Sequence, residues 1–227
     1  PTAIDNRGHL AAHWHPAAFD DALAAYDWAL QNYDLPIVLA GDSAGANLAA
    51  AVAHQTRGRK VKPIGQMLIY PGLGGDIRHG SYVKHADAPM LSVRDLAFYK
   101  DIRAGSPDVS RDVTFAPLAA SDYAGLPPTI VITAECDPLS SDGETYRDRI
   151  AAAGGKAWWH EEAGLVHGYL RARHSVARAR ESFTRIIESI KALGRREWTH
   201  PLTHVDQGAV ETARKKPIRL IDRPVRL

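Results

Sequence analysis

The length, composition and charge of the chain limit the class of protein to which it can belong. The 227 residues are 45% hydrophobic and 24% charged, which is typical of a globular protein and excludes a wholly disordered or collagen-like chain. A formal net charge of only +2 argues against a dedicated nucleic-acid-binding protein. The single cysteine, Cys136, excludes an internal disulfide, and no apolar run approaches the roughly 18 residues of a membrane span. We therefore expect a globular, cytoplasmic protein.

Apolar segments of two kinds alternate along the chain. A helix is predicted to begin at Pro16, because apolar residues then recur on one helical face: Phe19, Leu23, Tyr26 and Leu30. Short apolar runs predict buried strands at 37–40, 67–70, 129–134 and 157–160. Further helices are predicted over 44–56, 93–103 and 145–153, and over a closing segment that ends at Gly194. This alternation predicts an α/β fold with a mostly parallel sheet and helices on both faces.

Two segments depart from this alternation. The stretch from Gly74 to Tyr123 is long, polar and mixed, and such an excursion above a sheet often covers a site. We therefore predict one domain over 1–194 with a cap-like insertion at about 74–123. Residues 195–227 carry eight Lys and Arg against four Asp and Glu, so we interpret them as a basic C-terminal tail.

Gly41-Asp42-Ser43-Ala44-Gly45 matches the pattern G-x-S-x-G, which is weak evidence alone because chance produces it on the order of one time in ten in such a chain. Here the pattern directly follows an apolar strand and opens an alanine-rich helix, which is the setting of a nucleophile elbow. The glycines permit a sharp turn and a close approach of helix to strand, and the helix N-terminus offers N–H donors to developing negative charge. The alternative is a turn that only caps a helix.

A serine nucleophile needs a base and an acid that orients the base. In this kind of fold they follow the serine in the order Asp, His, on loops after later strands. Asp137 follows the strand predicted at 129–134, and His167 follows the next strand. Both lie at carboxyl ends of strands, where the sites of open α/β sheets gather. The alternatives are a helix cap or Asx-turn at Asp137 and an ordinary loop residue at His167.

Three separated motifs carry a resemblance to a known family: the segment 41–49, Asp137-Pro138-Leu139 and His167-Gly168. In this order they resemble the hormone-sensitive-lipase-like family of α/β-hydrolase esterases. The helix residues 20–26 resemble the helix before the elbow of that family. The residues from Ala88 to Tyr99 resemble part of its cap and acyl pocket. The likeness covers about residues 1–190.

The resemblance implies hydrolysis of short-chain carboxylic esters through an acyl-serine intermediate, without metal or cofactor. It makes Ser43 the nucleophile, His167 the general base and Asp137 the residue that orients and stabilises the imidazole. The N–H of Ala44 is expected to donate to the oxyanion. The expected substrate-binding residues are Asp42, Met90, Leu91, Phe98 and Val166. The expected partner is a small-molecule ester and not a nucleic acid; a homodimer stays open.

The chain also departs from the family pattern. Family members carry a His-Gly-Gly-Gly-type loop upstream of the elbow, which supplies further oxyanion donors, and no such segment precedes Ser43 here. The run Gly72-Leu73-Gly74-Gly75 follows the elbow and cannot replace it. We therefore expect an α/β-hydrolase domain that lacks its first strands and is N-terminally incomplete. A smaller departure is Ser141, where the family often has a second acid.

Other patterns in the sequence are weaker, and one rival interpretation remains. His200 and His204 have the spacing of a helical metal pair, but Pro201 disfavours a helix there and no third ligand is evident, so no metal site is predicted. The basic run 214–216 is interpreted as a solvated tail. The rival to a serine esterase is a non-catalytic α/β-hydrolase-like protein that binds a ligand, or an inactive truncated remnant.

Overall fold

A computed structural model describes residues 14–104 and 108–198 of the chain. Four strands carry the fold: β1 (Val38–Asp42), β2 (Gly65–Ile69), β3 (Thr129–Cys136) and β4 (Ala157–Val166). The helices between and around them are α1 (Ala17–Asn32), α2 (Ala44–Thr56), α3 (Ser81–Lys84), α4 (Val93–Ala104), α5 (Ser140–Ala152) and α6 (Ala177–Gly194). Helices and strands therefore alternate as the sequence predicts.

The four strands form one sheet in the order β1-β2-β3-β4, and all three neighbouring pairs are parallel. The register aligns Asp42 with Ile69, and Ile69 with Ile132. Because every strand runs in the same direction, the carboxyl ends of β1, β3 and β4 lie at one edge of the sheet. The residues that follow these ends are consequently close in space although they are far apart in sequence.

Apolar side chains cover both faces of the sheet. On one face, α2 and α5 lie over the strands and α1 packs against α2; the shared buried residues include Leu68, Val131, Tyr146 and Ile150. On the other face, α6 covers a second buried cluster that includes Met67, Ile69, Ile130, Ile132 and Ile186. Consecutive strand residues alternate between the two clusters, which is the expected pattern of a sheet buried on both sides.

Two elements differ from their predicted bounds. β4 extends to Val166 instead of ending at His160, because charged residues that interrupt its apolar pattern have partners: Glu162 Oε2 accepts from Arg185 Nη2 at 2.5 Å, and Glu161 Oε2 accepts from Ser140 Oγ at 2.6 Å. α5 begins at Ser140 rather than Thr145, since the polar first turn is buried and hydrogen-bonded instead of exposed.

The segment from Gly74 to Tyr123 contains α3 and α4, and residues 105–107 within it lie outside the described part. Apolar contacts anchor it in two places: Leu91 and Tyr82 are buried together with Leu139, the residue just before α5, and Leu118 and Tyr123 belong to the buried cluster that contains Leu68. In α4, by contrast, Ala104 is the buried residue. The domain bounds predicted from the sequence, 1–194 with an insertion at 74–123 and a tail over 195–227, stay predictions.

No helix among residues 14–104 and 108–198 is both long and apolar enough to cross a membrane. His200, His204 and the basic run 214–216 all lie outside the described residues.

Candidate active site

The turn between β1 and α2 has a strained backbone at Ser43. Its φ of 53° and ψ of −117° lie in a region that L-residues rarely occupy. Gly41 makes the turn possible, because a Cβ at this position would stand 2.3 Å from the backbone of Gly45. A Cβ on Gly45 would meet nothing within 4 Å. Of the two motif glycines, Gly41 is therefore the one that the close approach of helix and strand requires.

The three residues singled out from the sequence are joined by hydrogen bonds. Ser43 Oγ lies 2.9 Å from His167 Nε2, and His167 Nδ1 lies 2.7 Å from Asp137 Oδ2. A carboxylate can only accept, so Nδ1–H is the donor to Asp137 and leaves Nε2 free to accept the hydroxyl proton of Ser43. His167 directly follows β4, and Asp137 directly follows β3. The parallel strand ends bring the three side chains together.

Asp137 is fully buried and is held from both of its oxygens. Its Oδ2 accepts from His167, and its Oδ1 accepts from the backbone N–H of Leu139 at 2.9 Å. The second bond is the Asx-turn that the sequence analysis treated as an alternative to the functional interpretation. Both occur together, and the Asx-turn fixes the carboxylate plane that faces the imidazole.

Ala44 is the first residue of α2 and follows Ser43 directly. The first N–H groups of a helix have no acceptor within the helix, and they carry its partial positive charge. The backbone N–H of Ala44 is thus of the kind that an oxyanion beside Ser43 would need. The pairing Ser43 N–H to Ile69 C=O, at 2.9 Å, ties the turn to the end of β2.

Comparison with known proteins identifies the family. The sequence model of the α/β hydrolase fold matches residues 10–171, which is more than half of the chain. The chain belongs to the α/β-hydrolase fold family. The predicted fold class is thereby confirmed.

Similar proteins in this family are named as esterases. Esterase LipI of Mycobacterium tuberculosis is 36% identical over 189 residues, covering 80% of this chain and 59% of LipI. The ethyl acetate hydrolase of Pseudomonas putida is 27% identical over 191 residues, covering 80% of this chain and 60% of that protein. The crystal structure of EstE1, a thermostable carboxylesterase from a metagenomic library, has a TM-score of 0.74 and 33% identity, with 80% of this chain and 65% of EstE1 covered. The resemblance to α/β-hydrolase esterases is confirmed, and the chain spans about three-fifths of the length of these curated relatives.

Tyr70 lies beside the histidine of this α/β hydrolase and was not among the residues predicted for the site. The side chain is 1% exposed, its ring centroid lies 4.8 Å from that of His167, and its hydroxyl donates to Asp42 Oδ2 at 3.0 Å. Burial, followed by the adjacent Asp42 carboxylate, raises the pKa of the phenol, so the hydroxyl stays protonated. The sequence feature that could have indicated it is a tyrosine at the carboxyl end of the predicted strand 67–70, which follows the elbow strand along the chain.

The predicted substrate-binding residues occupy three different environments. Asp42 is exposed next to Ser43, and Val166 is half-buried next to His167. Leu91 is buried at 5% exposure in its contact with Tyr82 and Leu139. Met90 and Phe98 are 61% and 60% exposed on the 74–123 segment. Asp42 is thus linked to His167 through Tyr70, by one hydrogen bond and one ring contact, while no hydrogen bond or ring contact among the described residues links the three residues of the segment to Ser43 or His167.

Polar contacts join the first turn of α5, just after Asp137, to the 74–123 segment. Asp142 Oδ2 accepts from the N–H of Leu73 at 2.7 Å and from the hydroxyl of Tyr82 at 3.0 Å. Burial and the nearby Asp137 raise the pKa of the Asp142 carboxyl to about 6. Ser81 and Ser141 bind each other reciprocally, through Ser81 N–H to Ser141 Oγ at 2.8 Å and Ser141 N–H to Ser81 Oγ at 2.9 Å. Ser141, the departure from the family pattern, is therefore part of this connection.

Proposed function

We propose that this α/β hydrolase cleaves carboxylic esters through an acyl-serine intermediate. The observation that carries the proposal is the continuous hydrogen-bond chain from Ser43 Oγ to His167 to Asp137, with distances of 2.9 and 2.7 Å. A serine hydroxyl at its ordinary protonation state is a weak nucleophile and is activated by a base within hydrogen-bonding distance. The esterase names of its relatives support the same reaction.

In the proposed mechanism, His167 Nε2 takes the proton of Ser43 Oγ as the oxygen attacks the ester carbonyl. The resulting oxyanion accepts a hydrogen bond from Ala44 N–H at the positive end of α2. Collapse of this intermediate breaks the bond to the alcohol oxygen, which receives the proton from His167. Water, deprotonated by His167, then attacks the acyl carbon; the bond to Ser43 Oγ breaks, His167 returns the proton to that oxygen, and the acid is released. Throughout, Asp137 keeps Nδ1 protonated and stabilises the positively charged imidazole.

For the substrate, we propose esters with a short acyl chain. Support comes from the relative named as an ethyl acetate hydrolase, since ethyl acetate has a two-carbon acyl group. Phe98, Met90 and Leu91 stay proposed pocket residues, and Asp42 and Val166 are proposed to flank the reacting ester. No metal or cofactor takes part in the proposed steps.

A fluorophosphonate probe tests the central step, because it phosphonylates an activated serine and needs little substrate recognition. We expect labelling of the purified chain at Ser43, located by peptide mass spectrometry, and none in Ser43→Ala. Ser140→Ala is a matched control, since Ser140 Oγ donates to Glu161 and has no histidine partner. A folded chain, verified by circular dichroism, that takes up no probe would contradict the proposal and favour a ligand-binding or inactive protein.

Hydrolysis of p-nitrophenyl esters tests the acyl-chain proposal separately. We expect kcat/KM to be highest for the acetate or butyrate ester and to fall for the decanoate ester. An increase of kcat/KM with acyl length, with labelling of Ser43 intact, would contradict the short-chain proposal and leave the nucleophile unaffected.

A further inference from the structure

Tyr70 is a buried aromatic residue to which the proposed mechanism gives no role. It is fully enclosed at the end of β2, and its φ of 34° is strained for a residue with a large side chain. Such strain persists only where the surroundings hold the residue in place, and it gathers at functional sites. Two of its contacts lie at the site: the ring of His167 at 4.8 Å between centroids, and the carboxylate of Asp42 at 3.0 Å from its hydroxyl.

We propose that Tyr70 is a positioning residue for ester hydrolysis, which holds the His167 ring toward Ser43 and stabilises its positively charged form through a phenol polarised by Asp42. This inference rests on the proposed function, because it assigns Tyr70 a part in the same reaction.

The contact with Tyr70 restrains the imidazole of His167 in addition to the hydrogen bonds with Ser43 and Asp137. The two rings meet at an interplanar angle of 61°, an edge-type arrangement that aromatic pairs favour. The hydrogen bonds to Ser43 and Asp137 fix the two ring nitrogens of His167, and the tilted contact with Tyr70 limits rotation of the imidazole about the line that joins these nitrogens. Tyr169 also contacts the ring of Tyr70, at 5.3 Å between ring centroids.

The hydrogen bond to Asp42 adds an electrostatic effect. A phenol that donates to a carboxylate gains electron density, and an electron-rich ring attracts a neighbouring cation. During the reaction His167 becomes that cation. The other charged or titratable groups near this pair are Asp137, on the loop after β3, and Tyr169 and Arg171, on the segment after β4. The carboxylate of Asp137 acts on Nδ1, and the proposed contribution of Tyr70, through its ring, is separate from it.

The proposal is tested with Tyr70→Leu, which removes the ring, and Tyr70→Phe, which removes only the hydroxyl. We expect Tyr70→Leu to lower kcat for p-nitrophenyl acetate about tenfold with little change in KM, the size expected for loss of a desolvated cation–π contact. The acid limb of the pH profile of kcat/KM should move about one pH unit lower, because the same tenfold loss applies to the charged imidazole. Tyr70→Phe should restore most of kcat and shift the limb by a smaller amount in the same direction.

Tyr123→Phe is the matched control, because it also removes a buried phenol hydroxyl. This hydroxyl donates to Pro117 C=O, at a distance of 3.2 Å, and has no contact with Ser43 or His167 among the described residues. The control variant should leave the pH profile unchanged. If Tyr70→Leu does not fold, Tyr70→Phe and Asp42→Asn carry the test: the first removes the hydrogen bond and the second removes the negative charge that polarises the phenol, and both should lower the acid limb. A folded Tyr70→Leu variant with the wild-type kcat and pH profile would overturn the proposal.

An NMR titration of the His167 imidazole separates this inference from the proposed function, because it needs no turnover. The titration midpoint of His167, assigned by comparison with His167→Asn, should fall in Tyr70→Leu as the kinetic limb does. A wild-type chain without esterase activity would contradict the proposed function, and the NMR midpoints would still decide the role of Tyr70. Equal midpoints in wild type and both Tyr70 variants would overturn it.

Discussion

The strand-end region of the site and the 74–123 segment are built in different ways. Around Ser43, the side chains of Asp137 and His167 are buried, at 0% and 9% exposure, and hydrogen bonds join all three residues. On the segment, Met90 and Phe98 are about three-fifths exposed. The sheet therefore determines how Ser43, His167 and Asp137 are placed relative to one another. The 74–123 segment, in contrast, contributes apolar side chains that remain exposed to solvent.

The largest effect should come from Asp137→Asn at the strand ends. An amide in place of the carboxylate offers an N–H to His167 and favours the wrong tautomer, so kcat for p-nitrophenyl acetate should fall about 10⁴-fold with the fold retained. Asp76→Asn is the matched control, because Asp76 is an exposed carboxylate paired with Arg78 on the 74–123 segment. A loss of less than tenfold for Asp137→Asn would contradict the sharp division between the two regions.

Within the segment, Leu91→Ala should have the largest effect on stability. Leu91 is buried against Tyr82 and Leu139, and truncation of a buried leucine costs about 3 kcal/mol of the free energy of unfolding. Urea unfolding measures this change. A cost below 1 kcal/mol would mean that the contact does not anchor the segment to the loop that carries Asp137.

Asp142 connects the two regions, and its effect should depend on pH. Its pKa is raised from 3.8 to about 6 in the fold, so the folded state holds this proton more tightly than the unfolded state. The resulting stabilisation is present below pH 4 and is lost as the pH rises through 6. From pH 4 to pH 7, the free energy of unfolding of wild type should therefore fall by about 2 kcal/mol relative to that of Asp142→Asn. A difference independent of pH would contradict this prediction.

The smallest effect on stability is expected for Phe98→Ala. Its side chain is 60% exposed, so the free energy of unfolding should change by less than about 0.5 kcal/mol. If Phe98 binds the acyl group, KM for p-nitrophenyl butyrate should rise with kcat unchanged. An unchanged KM would remove Phe98 from the proposed pocket and confine substrate contacts to the strand ends.

The parts of the molecule that could be predicted from the sequence are those in which a short run of residues is enough to indicate the local structure. The apolar strands, the elbow at Ser43 and the positions of Asp137 and His167 after strands all follow from short patterns. β4 was predicted six residues too short, because Glu162 is buried through a distant partner, Arg185, that local periodicity cannot reveal.

Tyr70 was missed for a related reason. In the sequence it is the last residue of an apolar run, and nothing nearby indicates a contact with His167, which lies 97 positions later. That contact follows from the parallel register of β2, β3 and β4, a property of the whole sheet. Residues whose role depends on pairs of distant strands are the ones that sequence patterns leave unassigned.

The attachment of Ser43, Asp137 and His167 to three different strands has a consequence for folding. Ser43 and His167 are separated by 124 positions and Asp137 and His167 by 30, so closing these loops costs conformational entropy that no local contact offsets. A fragment containing one or two of the strands could not assemble the group. Probe labelling of Ser43 should therefore disappear together with the sheet in a denaturant titration, which makes the reactivity of a single hydroxyl a reporter of the cooperative folding of the sheet.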